Sequence, residues 1–274
     1  MAIYLVTGKL GSGKSLACVG RIRDALKAGK RVATNLNVRV DEMFPRAGGD
    51  KGAMVRVPDK PTLEDLNGIG RGQEGVEDED NGLLVLDELG AWLNTRSFND
   101  PERLPVIEWL LHSRKLGWDV IFIIQHPNMV DKQVREGLAE YLVTCRRTDR
   151  LRLPFVGGLI KMLTGKKITL PQAHIGTVRY GLDPGAIVAD RWWYRGRDLY
   201  GAYDTLQRFT NDRTGLWSYL PSNVLRRFRE ACAPLALGGP KPKLPHVRAA
   251  MALPPDHRVR LLQRLGDHGG PTPA

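Results

Sequence analysis

Cysteine is scarce in this sequence. Its 274 residues contain three, Cys18, Cys145 and Cys232, far apart and without C-x-x-C spacing. An odd, scattered set excludes a disulfide framework and a zinc ribbon, and a reducing cytosolic setting is expected. Long apolar runs are missing as well. The densest is Val-Ile-Phe-Ile-Ile at 120–124, far short of the roughly 18–20 residues needed to cross a bilayer. The basic start, apolar stretch and small-residue cleavage site of a signal peptide are not found either. The chain is therefore expected to be soluble, or to meet a membrane only through its surface or a partner. The six histidines show no metal-ligand spacing, and no Ser/His/Asp or Cys/His triad is readable.

Apolar residues make up 42% of the chain, enough to supply the core of one large α/β domain with an appendage. The net charge of +11 is unevenly placed: residues 205–274 carry eleven Arg and Lys against four Asp and Glu, or 11 − 4 = +7. Such a tail suits nucleic acid or acidic lipid headgroups, though a solvated basic face has the same composition.

Ile3–Thr7 (IYLVT) is rich in β-branched and aromatic residues and stops at Gly8, after which Val19, Ile22 and Leu26 recur at helical spacing up to Gly29. The reading is strand, turn, helix. Further apolar runs lie at 31–38, 54–57, 83–87, 119–124 and 141–145. Strands apolar on both faces and separated by helical patterns predict a buried, mostly parallel sheet. Helices are expected over about 102–115, with Ile107, Leu110 and Leu111 on one face, and about 128–140, with Val130, Val134 and Leu138 in line. Short β-like pieces at 166–171, 176–181 and 191–196 predict hairpins added at the sheet edge. These features divide the chain into one α/β domain over 1–210, with edge hairpins from about 150, and a basic Pro/Gly-rich tail over 211–274.

Gly8, Gly13, Lys14 and Ser15 satisfy G-x-x-x-x-G-K-[ST], with Gly11 as a further flexible position. Glycines let the backbone curl round a phosphate chain with successive N–H groups pointing inward, at the positive end of the following helix. The cradle is Gly8, Gly11, Ser12, Gly13, Lys14, Ser15 and Leu16. Lys14 is placed to reach the β and γ phosphates of ATP, and Ser15 to ligate Mg²⁺.

Leu83-Leu84-Val85-Leu86 leads into Asp87 and Glu88. A buried strand ending in two acids places one to hold Mg²⁺, Asp87, and one to polarise the attacking water, Glu88. That pair points to an ATPase more than to a GTPase switch. The strand 119–124 ends at Gln125, where a polar side chain at the carboxyl edge of a parallel sheet faces the ligand crevice, so Gln125 is a candidate γ-phosphate sensor. Arg114, with His112, closes the preceding helix and is a candidate stabilising group, although basic residues also favour helix ends for dipole reasons. Arg135, Arg146 and Arg147 are candidates for an arginine acting on a neighbouring subunit.

In order along the chain, GKLGSGKS, ATNL, LLVLDELGAWLN, GWDVIFIIQHPNMVDKQVR and RWWYRGRDLYGAYDT resemble the zonula occludens toxin (Zot) family, the filamentous-phage assembly ATPases. The resemblance runs over roughly residues 1–210. It implies a P-loop NTPase with a mostly parallel central sheet flanked by helices, a RecA-type core of the FtsK/HerA kind. It further implies a homo-oligomeric ring that hydrolyses ATP with Mg²⁺ and drives virion assembly and extrusion at the host inner membrane, acting on phage single-stranded DNA or its coat complex. By position it carries nucleotide binding onto the glycine loop, the acid pair onto Asp87 and Glu88, and the sensor onto Gln125. Family members commonly continue into a transmembrane helix, where this chain has the broken stretch ACAPLALGGPKPKLP. The expectation is a chain in the host cytoplasm, peripheral to the inner membrane, that either docks on a separate membrane channel partner or is a cytoplasmic motor with no membrane role. Two other readings stay open: an ATPase that pumps DNA into a preformed capsid, and a nucleotide-gated adaptor without useful turnover.

Overall fold

In the computed structural model, alternate residues of the central strands point to opposite faces, and both faces are buried. On one face Val6, Leu83, Val85, Ile121, Ile123 and Val143 pack with the first helix. On the other, Leu5, Leu84, Leu86, Val120, Phe122 and Ile124 pack under Val106, Trp109 and Leu110. A strand covered on both sides must be apolar at every position, which is why its sequence shows a run and not an alternation. The structure describes residues 2–45, 49–75, 77–89, 103–130, 135–137, 139–150, 173–183, 185–210 and 215–226.

The strands are β1 (Ile3–Thr7), β2 (Val32–Thr34), β3 (Met54–Arg56), β4 (Gly82–Leu86), β5 (Trp118–Ile123), β6 (Tyr141–Arg147), β7 (His174–Tyr180), β8 (Val188–Tyr194) and β9 (Trp217–Ser218). They form one sheet in the order β8-β7-β6-β1-β5-β4-β2-β3-β9. The six strands from β6 to β3 run parallel. β7 and β8 extend one edge as an antiparallel hairpin, as expected, and β9 closes the other edge antiparallel to β3. β5, which Gln125 follows, is inserted between β1 and β4, with Leu5 opposite Phe122 on one side and Leu86 opposite Phe122 on the other. This is a P-loop NTPase fold, mostly parallel, with β additions at the edges.

Helix α1 (Lys14–Lys27) buries Leu16, Cys18, Val19, Ile22 and Leu26 on the sheet. Its close approach to β8 depends on Gly20, where a methyl group would sit 2.4 Å from the Tyr194 ring. Tyr194 then donates its hydroxyl to Asp24, at 2.8 Å. The short helices α2 (Val40–Met43) and α3 (Leu63–Gly68) fill the connections beyond β2 and β3. α3 is set by a capping box in which Thr62 and Asp65 satisfy each other's backbone N–H groups. α4 (Arg103–His112) begins with Pro105 in its first turn, where a missing N–H costs little. Its inward face is Val106, Trp109 and Leu110, while Leu111, expected on that face, is 50% exposed.

The folded part extends past the boundary expected at 210. β9 pairs with β3, the Tyr219 hydroxyl donates to the Leu36 carbonyl at 3.1 Å, and Arg226 reaches the Phe44 carbonyl at 2.9 Å. The expected piece at 166–171, residues 131–134 and 138 of the expected helix over 128–140, and the tail from 227 lie outside the described residues. Among the described residues, no helix is long and apolar enough to cross a membrane.

Candidate functional site at the carboxyl edge of the sheet

The loop between β1 and α1 owes its curl to glycine. Gly13 has φ +89° and is the N-cap of α1. A Cβ there would be strained, and would lie 1.9 Å from Nδ1 of His174. Gly8 admits only hydrogen for a packing reason, because a Cβ would stand 2.6 Å from the Ser12 hydroxyl and 2.8 Å from the Cys145 carbonyl. No side chain caps α1, and no acid sits in its first turn. Its leading N–H groups and positive end are thus left for an anion. Lys14 folds back so that Nζ donates to the Gly8 carbonyl, at 3.1 Å. The Ser12 hydroxyl oxygen is buried inside the curl and has no hydrogen-bond partner among the described residues.

The acid pair faces this loop. Ser15 donates its hydroxyl to Asp87 Oδ2 at 3.3 Å, and Asp87 Oδ1 accepts the Glu88 N–H at 2.7 Å. Burial pushes the Asp87 carboxyl up to about 6, and the neighbouring Glu88 charge adds to the rise. Hydrogen bonds from the Glu88 N–H and Ser15, with the Lys14 charge, pull the other way. Glu88 has φ +56°, the one non-glycine with positive φ among the described residues. An L-residue takes that conformation at a cost of about 1–2 kcal/mol.

A cavity of about 470 Å³ runs along the edge, lined by Gly11, Gly13, Lys14, Ser15, Leu16, Asp87, Glu88 and Gln125. The Gln125 carbonyl is held by the Thr7 hydroxyl at 3.3 Å, and its side chain is exposed at the pocket. Sequence reasoning missed much of the remaining wall. Residues 196–210 cross the pocket mouth as a strap and contribute Tyr200, Tyr203, Asp204, Thr205, Gln207 and Phe209. The strap's composition is ordinary for the chain, with Leu199, Tyr200, Ala202, Tyr203, Leu206 and Phe209 among polar residues, so nothing in it signalled a wall. The only available hint was its place in the RWWYRGRDLYGAYDT stretch.

His174 was missed too. It is 4% exposed, its ring lies against Gly13, Nδ1 is 3.3 Å from the Ser12 carbonyl and Nε2 is 3.3 Å from the Tyr200 hydroxyl. A carbonyl only accepts, so Nδ1 carries the proton and Nε2 accepts from Tyr200. Burial holds the imidazole below its usual value, which keeps it neutral at pH 7.

Arg114 does not join the site. It sits in the turn Ser113–Leu116 before β5, at the amino edge of the sheet, 66% exposed and 3.8 Å from Asp78. Gln125 follows the other end of the same six-residue strand, about 20 Å away. A helix that precedes a parallel strand ends at the amino edge, and that direction rule excludes Arg114 and His112 alike. Arg147 lines the pocket of its own chain, braced by Asp149 at 2.7 and 3.0 Å. Arg146 is exposed on the opposite face of β6, and Arg135 donates to the Pro127 carbonyl.

These features fit a polyphosphate with a divalent cation. Unpaired helix N–H groups, a folded-back lysine and an orphaned hydroxyl suit the phosphates. A buried carboxylate with a raised pKa beside a serine hydroxyl suits the cation. Among the described residues no group of three or more His, Cys, Asp or Glu could hold a metal ion, so a cation here would rest on Asp87, Ser15 and the phosphates themselves.

The sequence pattern of the family described as zonular occludens toxin (Zot) matches residues 2–184. The Gene 1 protein of Enterobacteria phage M13 is 52% identical over 223 residues, 80% of this chain and 64% of its own. That of Enterobacteria phage I2-2 is 54% identical over 215 residues, 78% of this chain and 59% of its own. This chain therefore spans under two thirds of the length of these relatives. Among solved structures, the N-terminal domain of zonular occludens toxin from Neisseria meningitidis aligns with 77% of this chain and 95% of its own at 16% identity, with a TM-score of 0.36. With two thirds of its length matched by the family pattern and half of its aligned residues shared with the phage proteins, this chain belongs to the Zot family.

Proposed function

We propose that this chain is an ATP-hydrolysing motor for filamentous phage assembly and extrusion. The observation that carries the chemistry is the insertion of β5 between β1 and β4. It brings Lys14, Ser15, Asp87, Glu88 and Gln125 around one pocket. The assembly role rests on the kinship with the Gene 1 proteins.

The loop amides and Lys14 bind and orient the β and γ phosphates of ATP, while Ser15 and Asp87 hold Mg²⁺. When bound, Mg²⁺ draws negative charge from the phosphate oxygens and so eases departure of the nucleoside diphosphate. Glu88 takes the proton of the attacking water, and Gln125 contacts the γ-phosphate, reporting whether it is still attached. Arg147 adds positive charge to the same pocket from within the chain. The motor acts as a homo-oligomer at the inner face of the host membrane, with single-stranded DNA or its coat complex as cargo.

The test is steady-state phosphate release at increasing protein concentration, with and without single-stranded DNA, beside nucleotide affinity. Turnover that rises with concentration and DNA, and is lost in Glu88→Gln while binding persists, is the expected result. Binding without turnover under every condition would instead make the chain a nucleotide-gated adaptor.

A further inference from the structure

The stretch ATNL carried family resemblance without a stated role, and the structure gives its asparagine one. Asn35 follows β2 and is fully buried. Its side-chain oxygen accepts the Asp87 N–H at 2.8 Å, and its side-chain nitrogen donates to the Asp87 carbonyl at 3.0 Å and to the Asp59 carbonyl at 3.1 Å. Both backbone polar groups of Asp87 are therefore held by one amide. The second of them belongs to the peptide plane shared with Glu88, whose φ is measured from that plane. Fixing it fixes where the strained Glu88 points.

Asparagine is the residue type this geometry needs. Aspartate offers no donors for the two carbonyls and adds a negative charge beside a carboxyl that is already buried. Glutamine is one methylene too long for the same closed pair.

Asn35 is in turn held by the strap. Gln207 donates Nε2 to the Asn35 carbonyl at 2.8 Å and accepts the Asn37 N–H at 2.7 Å. The Thr210 N–H binds the Asp59 carboxylate at 2.8 Å, and the Arg39 N–H binds the Ala202 carbonyl at 2.7 Å. Gln207 and Tyr203 also line the pocket. A ligand in the pocket thus touches the strap, the strap holds Asn35, and Asn35 holds the acids.

We propose that Asn35 is a positioning residue that sets the Asp87–Glu88 peptide, and that Gln207 couples this setting to the strap. The proposal deepens the ATPase reading and rests on it for its kinetic arm.

The first measurement needs no nucleotide: hydrogen exchange of the segment 83–89 in the full chain. Asn35→Ala is expected to speed exchange there at least tenfold, and Gln207→Ala to do so less, at the same amides. In turnover, Asn35→Ala should lower kcat tenfold or more while ATP affinity shifts less than threefold, a split that general unfolding would not give. If Asn35→Ala does not fold, Gln207→Ala decides alone. Faster exchange confined to residues 35–39 in Gln207→Ala would overturn the coupling. An Asn35→Ala protein that weakens ATP binding and leaves kcat intact would overturn the positioning role. If wild type releases no phosphate, the ATPase reading fails while the exchange data still judge the link.

Discussion

In the proposed reaction Lys14 and Glu88 act on different parts of the same chemistry, so their variants should separate. Lys14→Ala is expected to weaken ATP binding at least tenfold, as read by a fluorescent ATP analogue, whereas Glu88→Gln should bind normally and hydrolyse at least a hundredfold more slowly. Arg114→Ala should change neither quantity, because it lies at the far edge of the sheet. Gly13→Ala should lose about 2–3 kcal/mol of stability and most nucleotide affinity, since the added methyl meets both a positive φ and the His174 ring. Asp87 predicts a pH effect with a definite sign. Its folded pKa of about 6 exceeds the ordinary 3.8, so protonation favours the fold. That contribution, on the order of 3 kcal/mol, is complete below about pH 4 and lost as pH rises through about 6. The Tm difference between Asp87→Asn and wild type should therefore move in the variant's favour from pH 5 to pH 8, in the absence of Mg²⁺. At Glu88 the proposed role sets stability against activity: glycine would relax the backbone and remove the carboxylate proposed to activate water.

Among the elements, the central strands and α1 were legible because their physical demands appear in local pattern. β4 and β5 must be apolar on both faces, and α1 must turn an apolar stripe to the sheet. Gly8, Lys14 and Ser15 were legible for a similar reason, since curl, charge and hydroxyl are each needed at a fixed spacing. The strap was not legible. Its conformation comes from pairing with residues 35–39, and those partners lie 162–172 positions away for Gly201 and Gln207. β9 has two residues and no pattern of its own; it is a strand only because β3 offers an edge. Arg114 was misplaced although the order of elements held the answer: a helix that runs into the next parallel strand ends at the amino edge, opposite the glycine loop. Packing makes two further predictions. Gly20→Ala should push α1 off Tyr194 and lower Tm by several degrees. Trp118→Ala, which empties a 1%-exposed site and frees the Gly70 carbonyl, should cost about 3–5 kcal/mol in denaturant unfolding.

At the scale of the whole molecule, the order of strands in the sheet is unlike their order in the chain. β1 is made first and lies between β5 and β6, its residues paired with 120–123 and 141–144. Until those segments leave the ribosome, Ile3–Thr7 has neither neighbour, and a parallel sheet offers no local hairpin to shelter it. The nascent chain must carry an apolar, β-prone strand unpaired until residues 120–123 have been made, which at about 5–20 residues per second takes on the order of ten seconds. Ribosome-bound chains halted near residue 110 are expected to be protease-sensitive across β1, with protection appearing only when residue 147 has cleared the exit tunnel. The location of β1 thus makes the glycine loop, made before the other motifs of the site, among the last of them to gain its neighbours in the sheet.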